Sequence, residues 1–249
     1  MTPRLRLAAG LALALALGSG ARAEHPKPVL VFAAASLTES FRALGEAFAR
    51  AHAPARAEFS FAGSPALVAQ IESGAPADVI ATADAATLAR LEESGALADA
   101  PAVFARNRLE IAVERGNPKG VKGLADLARE DLVVILCAET VPAGRYAREA
   151  LKAAGVAVEP KSLEENVKAV LNKVALGEAD AGIVYTTDVR SAAGRVAGVA
   201  IPDAQNTIAS YPIALVKRAG AQPGARAFLD FALSAQGQAV LARFGFLPP

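Results

Sequence analysis

The 249-residue chain contains one cysteine, Cys137, two histidines, His25 and His52, and no tryptophan. A lone cysteine excludes a disulfide framework. Neither histidine has a cysteine or second histidine at ligand spacing, which excludes a zinc centre of the usual kind. Aromatic residues make up 5% of the chain, too few for the stacking platforms that hold sugars or bases. Neither sign of charge dominates, with 26 Lys+Arg against 25 Asp+Glu, so a nucleic-acid backbone or an anionic membrane has no basic footprint to bind. A long apolar run is missing too. The longest, 7–17, is about 11 residues, where a bilayer span needs about 20.

What is present is small and apolar. Hydrophobic residues are 53% and charged residues 20%, which excludes disorder and supplies a sizeable core. Arg4 and Arg6 precede the apolar run, Gly18-Ser19-Gly20 follows it, and Ala21-Arg22-Ala23 closes the segment. A basic start, a short apolar stretch and an A-x-A site predict a secretory signal peptide, 1–23, cleaved after Ala23. The mature chain is then exported, with the periplasm as its expected location. Loss of Arg4, Arg6 and Arg22 takes the formal charge from +1 to about −2. No cysteine stands at the cleavage site, so no lipid anchor is expected.

From residue 28 short apolar runs alternate with helical periods. Val29-Leu30-Val31-Phe32 reads as a buried strand, and Leu37, Phe41, Leu44 and Phe48 mark one face of the helix that follows. Strands at 58–61 and 78–81 alternate with helices that carry Leu67, Val68 and Ile71 or begin at Asp84. A strand-like stretch, 107–113, is broken by Arg115-Gly116-Asn117-Pro118. A second set reads as strands at 132–137, 156–158 and 181–185 with helices between them, then a strand at 211–216 and two closing helices over 224–243. Alternation of this kind predicts an α/β fold of mixed, mostly parallel sheets with helices on their faces. Two similar sets predict two Rossmann-like lobes, 24–108 with 209–249 and 109–208, joined by two crossing strands around Ile111 and Ile213. Cys137 falls at the end of a strand, as a buried thiol.

Ligands of open parallel sheets bind beyond the carboxyl ends of the strands, so the strand-to-helix junctions carry the functional signal. Ser36 with Glu39 three residues on reads as a capping box. Ser64 before Pro65 reads as an N-cap. Val141-Pro142-Ala143-Gly144 opens another helix, and Glu164-Glu165-Asn166-Val167-Lys168 a fourth. A single such junction usually only caps its helix. Four of them, two from each half, predict converging helix N-termini, whose free N–H groups suit an oxyanion. Tyr185, at the end of Gly182-Ile183-Val184-Tyr185, is placed to add a hydroxyl. Tyr146 and Tyr211 make weaker candidates.

These segments together resemble the periplasmic molybdate-binding proteins of bacterial ABC importers. The resemblance rests on Val31-Phe32-Ala33-Ala34-Ala35-Ser36-Leu37-Thr38, Phe61-Ala62-Gly63-Ser64 and Gly74-Ala75-Pro76-Ala77-Asp78-Val79. It continues through Val141-Pro142-Ala143-Gly144-Arg145-Tyr146-Ala147, Gly182-Ile183-Val184-Tyr185 and Arg243-Phe244-Gly245-Phe246. It implies a type II periplasmic-binding-protein fold that closes on molybdate or tungstate and hands the ion to a membrane permease. The receptor would be a monomer with no cofactor, no direct metal ligand, no nucleic-acid partner and no stable membrane insertion. Ser36, Ser64, Ala143, Val167 and Tyr185 would bind the oxyanion, with selectivity against the smaller sulfate set by cage size. One departure is Cys137-Ala138, where the family often carries Asp-Pro.

Other readings are weaker. A serine hydrolase would need His52 as base, and Gly63-Ser64-Pro65 is not a G-x-S-x-G elbow. A glycosidase would pair carboxylates with sugar-stacking aromatics, which are scarce. A receptor for another oxyanion or an organic acid would have the same fold, but a carboxylate calls for an arginine clamp. Arg145 and Lys168 stand beside the junctions and read as solvated helix residues. The expectation is therefore a binding protein and not an enzyme.

Overall fold

The computed structural model describes residues 27–217 and 223–249; the expected signal peptide and His25 lie outside them. The first set of elements is β1 (Val29–Ala34), α1 (Thr38–Ala51), β2 (Ala57–Ala62), α2 (Ser64–Glu72), β3 (Val79–Ala81) and α3 (Ala85–Glu93). A long β4 (Ala102–Glu114) leads to the second set: β5 (Val134–Cys137), α4 (Pro142–Ala153), β6 (Ser162–Glu164), α5 (Val167–Ala175), β7 (Ala181–Tyr185), α6 (Thr186–Ser191) and β8 (Val196–Ala200). The chain then returns through β9 (Ile208–Leu215) to α7 (Gly224–Leu233) and α8 (Ala235–Arg243).

The result is a two-lobed α/β fold. In the first lobe β1 lies parallel to both β2 and β3, and β9 runs antiparallel to β3. In the second, β5 lies parallel to β6 and β7. Strand β4 belongs to both. Its Arg108 pairs with Ile208 of β9, while the next residue, Leu109, pairs with Tyr185 of β7. Beyond that point β4 also takes β8 as an antiparallel neighbour. The return passage, just ahead of β9, runs beside β4. There the Asn206 side chain accepts from the Leu109 N–H at 3.0 Å and donates to the Leu109 carbonyl at 2.8 Å, which extends the ladder across the gap.

Each sheet buries both faces. In β1, Val29, Val31 and Ala33 face α1, whose Phe41, Leu44 and Phe48 are buried at the expected spacing. Phe41 is the hub of an aromatic cluster, with ring centroids 6.1 Å from Phe59, 5.5 Å from Phe104 and 6.1 Å from Phe228. The opposite face takes Leu67, Val68, Ile71, Leu88 and Leu91 of α2 and α3 against Ile80 and Ala214. In the second lobe Val170, Leu171 and Val174 of α5 share a core with β5 and β7. A Cβ on Gly182 would stand 2.4 Å from a Val170 methyl, so that position takes only glycine for α5 to lie this close to β7. Cys137 is fully buried at the end of β5, and burial pushes its thiol pKa far above the ordinary value.

Several elements differ from expectation, among them β6 and α6, which the sequence reading did not place. The stretch 156–158 is not a strand: α4 ends, Gly155 turns at φ +67°, and the chain joins β5 only where the Lys161 N–H donates to the Val134 carbonyl at 2.8 Å, just ahead of β6. Two valines in alternation look like a strand, but no neighbour lies beside them there. Strand β8, Val-Ala-Gly-Val-Ala, exposes alternate residues and carries too little apolar character to announce itself. Replacing Phe41 by alanine would leave a void among three rings and lower stability by about 3–5 kcal/mol. Urea unfolding monitored by circular dichroism measures it, and a loss below about 1 kcal/mol would contradict this account of the core.

Candidate functional site

The helix starts meet at one place. Ala34, Ala35 and Ser36 follow β1, Gly63 and Ser64 follow β2, and Ala83 follows β3. From the second lobe come Val141, Pro142 and Ala143 at the start of α4, Asn166 and Val167 at the start of α5, and Tyr185 at the end of β7. Together they line a small cavity, about 10 Å³ to the centre of a water-sized sphere. No lining residue carries a charge.

Ser64 is the first residue of α2, Ala143 the second of α4 and Val167 the first of α5. N–H groups at these positions have no carbonyl upstream within their own helix, and the helix dipole adds partial positive charge there. Close packing sharpens the approach. A Cβ on Gly63 would lie 2.3 Å from the Glu165 carbonyl oxygen of the other lobe, and one on Gly144 only 2.1 Å from the Ala138 carbonyl. Both glycines let backbone meet backbone at the rim.

The serines do not do what their sequence context suggests. Ser36 sits in a short 3-10 turn (Ala35–Leu37), makes no cap bond, and places Oγ 3.0 Å from the Tyr211 hydroxyl. Glu39, its expected capping partner, instead reaches Lys168. Ser64 is not the N-cap of α2; that position belongs to Gly63. Its Oγ accepts the Ala83 N–H at 3.1 Å. The capping readings fail because each hydroxyl turns away from its own helix, toward the cavity wall. At α5, by contrast, Asn166 is a true N-cap, accepting from the Ala169 N–H at 3.0 Å.

Tyr185 is fully buried, and its hydroxyl has no hydrogen-bond partner. Burial raises its pKa well above the ordinary phenol value. Tyr211, whose ring centroid is 5.7 Å away, is buried and shifted upward in the same way. Both phenols are held protonated. Tyr146 lies outside the lining, with its pKa pushed up by burial to about 12.

Charge sits just outside the cavity, in pairs that join the lobes. Arg145 on α4 forms a bridge with Asp84, the N-cap of α3, and donates to Thr87 Oγ1 at 3.1 Å. Lys168 on α5 lies 2.8 Å from Glu39 on α1 and 3.1 Å from the buried Asp188 of α6. The latter is an ion pair whose angle falls short of a hydrogen bond. Asp188 Oδ2 accepts the Tyr185 N–H at 3.2 Å and so holds the end of β7. Burial works against the Lys168 charge, but Asp188 and Glu39 outweigh it and raise its pKa. Arg145 and Lys168 are thus not solvated helix residues. Each finds its carboxylate on the facing lobe, a partner that sequence spacing does not reveal.

His52, the one histidine among the described residues, is the C-cap of α1 and stacks on Phe48 at 4.7 Å. A helix of this length puts it about 20 Å from Ser36, so no histidine among the described residues faces that serine. Among the described residues no group of three or more His, Cys, Asp or Glu is placed to hold a metal ion. No helix among them is long and apolar enough to cross a membrane.

ModA of Mycobacterium tuberculosis H37Rv, named a molybdate-binding protein, is 40% identical over 223 residues, covering 90% of this chain and 85% of that one. The molybdate-binding protein ModA of Escherichia coli K12 is 30% identical over 252 residues, covering 97% of each. The solved Azotobacter vinelandii periplasmic molybdate-binding protein shares the fold with a TM-score of 0.75 at 20% identity, over 89% of this chain and 99% of that one. The sulfate-binding protein SubI of M. tuberculosis superposes with a TM-score of 0.79, also at 20% identity, over 89% and 87%. The model of the bacterial extracellular solute-binding proteins matches residues 29–247, and the chain belongs to that family.

Proposed function

We propose that the exported chain is a receptor for molybdate, and for tungstate, which has nearly the same size, and that it delivers the ion to the membrane permease of an ABC importer. The observation that carries this reading is the buried, unpartnered Tyr185 hydroxyl in a small uncharged cavity fenced by helix N-termini. Ser36, Ser64 and Tyr185 supply hydroxyl donors, and Ala143 and Val167 supply backbone N–H groups. The ion is held by neutral hydrogen bonds, with no cofactor and no protein atom bound to the metal.

The lobes are 24–108 with 209–249 and 109–208. In support, β4 changes sheets between Arg108 and Leu109, and β9 begins at Ile208. A leader of 1–23 would be removed after Ala23, leaving a periplasmic monomer. Size sets selectivity. Donors fixed on two sheets cannot contract onto sulfate, so the smaller ion leaves bonds long or unmade, at about 1 kcal/mol or more each. The Arg145–Asp84 and Lys168–Glu39 pairs fasten the lobes around the ion.

Calorimetric titration of residues 24–249 tests the reading. One-to-one binding of molybdate and tungstate with little response to sulfate is expected, whereas sulfate binding alone would move the site to another anion. Ser64→Ala and Tyr185→Phe are each expected to weaken molybdate binding by about 1–3 kcal/mol; unchanged affinity in both would remove the cage. A phenol stops donating once it ionises, and burial pushes that event upward for Tyr185. Affinity is therefore expected to stay flat between about pH 6 and 9, below the ordinary phenol value of about 10, and a fall within that window would count against the phenol donor. Arg145→Met is expected to cost about 1 kcal/mol, since Arg145 is partly exposed, and to appear as faster release in stopped-flow. An unaltered release rate would deny that this pair fastens the closed form.

A further inference from the structure

We infer that Tyr211 is a positioning residue: it commits the Ser36 hydroxyl to donate into the cavity, so that the site takes oxyanions free of protons and rejects those that carry one. The inference rests on the oxyanion reading above and deepens it.

Tyr211 lies on β9, fully buried, and does not line the cavity. Its hydroxyl is 3.0 Å from Ser36 Oγ, 175 residues away in the chain. On its other side is Asn107, a buried residue of β4. The Asn107 oxygen already accepts the Arg108 N–H at 3.0 Å, and its amide donates to Thr187 Oγ1 at 2.9 Å. The Tyr185 hydroxyl makes no hydrogen bond and so takes no proton from Tyr211. Among the described residues the hydrogen-bond partner of the Tyr211 hydroxyl is Ser36 Oγ, which is therefore the acceptor for the Tyr211 proton. A buried donor without an acceptor is costly, so Tyr211 donates and the serine proton must turn elsewhere. Elsewhere is the cavity that Ser36 lines.

Ser64 repeats the arrangement. Its oxygen receives the Ala83 N–H, which cannot rotate, and its proton is left for the cavity. With the Ala143 and Val167 N–H groups and the Tyr185 hydroxyl, the cavity wall presents protons. The nearby carboxylates of Asp84, Glu39 and Asp188 are engaged by Arg145 and Lys168 and do not line it. A monoprotonated tetrahedral ion of the phosphate or arsenate class would point its own O–H at a donor. Without the Tyr211 hydroxyl, Ser36 Oγ is free to accept that proton.

The test is calorimetry on residues 24–249 with molybdate and inorganic phosphate at about pH 8, for wild type, Tyr211→Phe, Ser36→Ala and the double variant. Tyr211→Phe keeps the ring and its contacts with Phe104 and Phe246. It is expected to bind molybdate about tenfold more weakly and to narrow the molybdate-to-phosphate ratio at least as much. The double variant should be no weaker than Ser36→Ala, because Tyr211 acts through that serine. An unchanged ratio in Tyr211→Phe, or two penalties that add, overturns the inference. Should Tyr211→Phe fail to fold, Ser36→Ala decides alone: losing a donor without exposing an acceptor must lower affinity and keep the ratio, and a narrowed ratio overturns the inference. A wild type that ignores molybdate removes the oxyanion reading itself, and this inference with it.

Discussion

Holding a doubly charged ion without a countercharge, as proposed, demands that many weak donors meet at one point, and the fold brings four helix starts to one cavity. Each helix start contributes N–H groups that its own backbone cannot satisfy. Single termini are ordinary; their convergence is not. It requires two sheets whose parallel strands end toward each other, and a strand, β4, that belongs to both. It also requires backbone to approach backbone at the rim, which glycine at positions 63 and 144 permits. The price of so many neutral donors is a cavity wall that makes few bonds of its own.

The charged residues serve the same geometry from outside. Arg145 with Asp84, and Lys168 with Glu39, cross from lobe to lobe on helices that begin at the cavity. Attraction across the cleft therefore acts on the elements whose N-termini line the cavity. Keeping these charges out of the wall leaves the site's field to helix ends and hydroxyls, which are fixed in direction. A flexible cation inside would bind any anion that reached it and blur selection by size.

Much of this was legible in the sequence. The periodicity of Leu37, Phe41, Leu44 and Phe48 located a buried helix face, and the four junctions named the elements that form the cavity. What the residues at those junctions do was less legible. Ser36 and Glu39 have the spacing of a capping box, yet each is recruited by a residue far along the chain, Tyr211 and Lys168. Local spacing cannot reveal a partner 175 residues away. For the same reason Arg145 and Lys168 looked like surface charges, and Tyr211 like a weaker candidate. The strand misplaced at 156–158 and the unnoticed β8 show the other limit: strand identity depends on a neighbour, which alternation alone does not supply.

The central claim is that an oxyanion is held by neutral donors from both lobes, and a crystal structure with tungstate tests it most directly, because the heavy ion locates itself by anomalous scattering. The account predicts one tungsten centre in the cavity, its oxygens within about 3 Å of the hydroxyls of Ser36, Ser64 and Tyr185 and the N–H groups of Ala143 and Val167. A tungsten centre elsewhere, or one whose oxygens are held by Arg145 or Lys168, would contradict it.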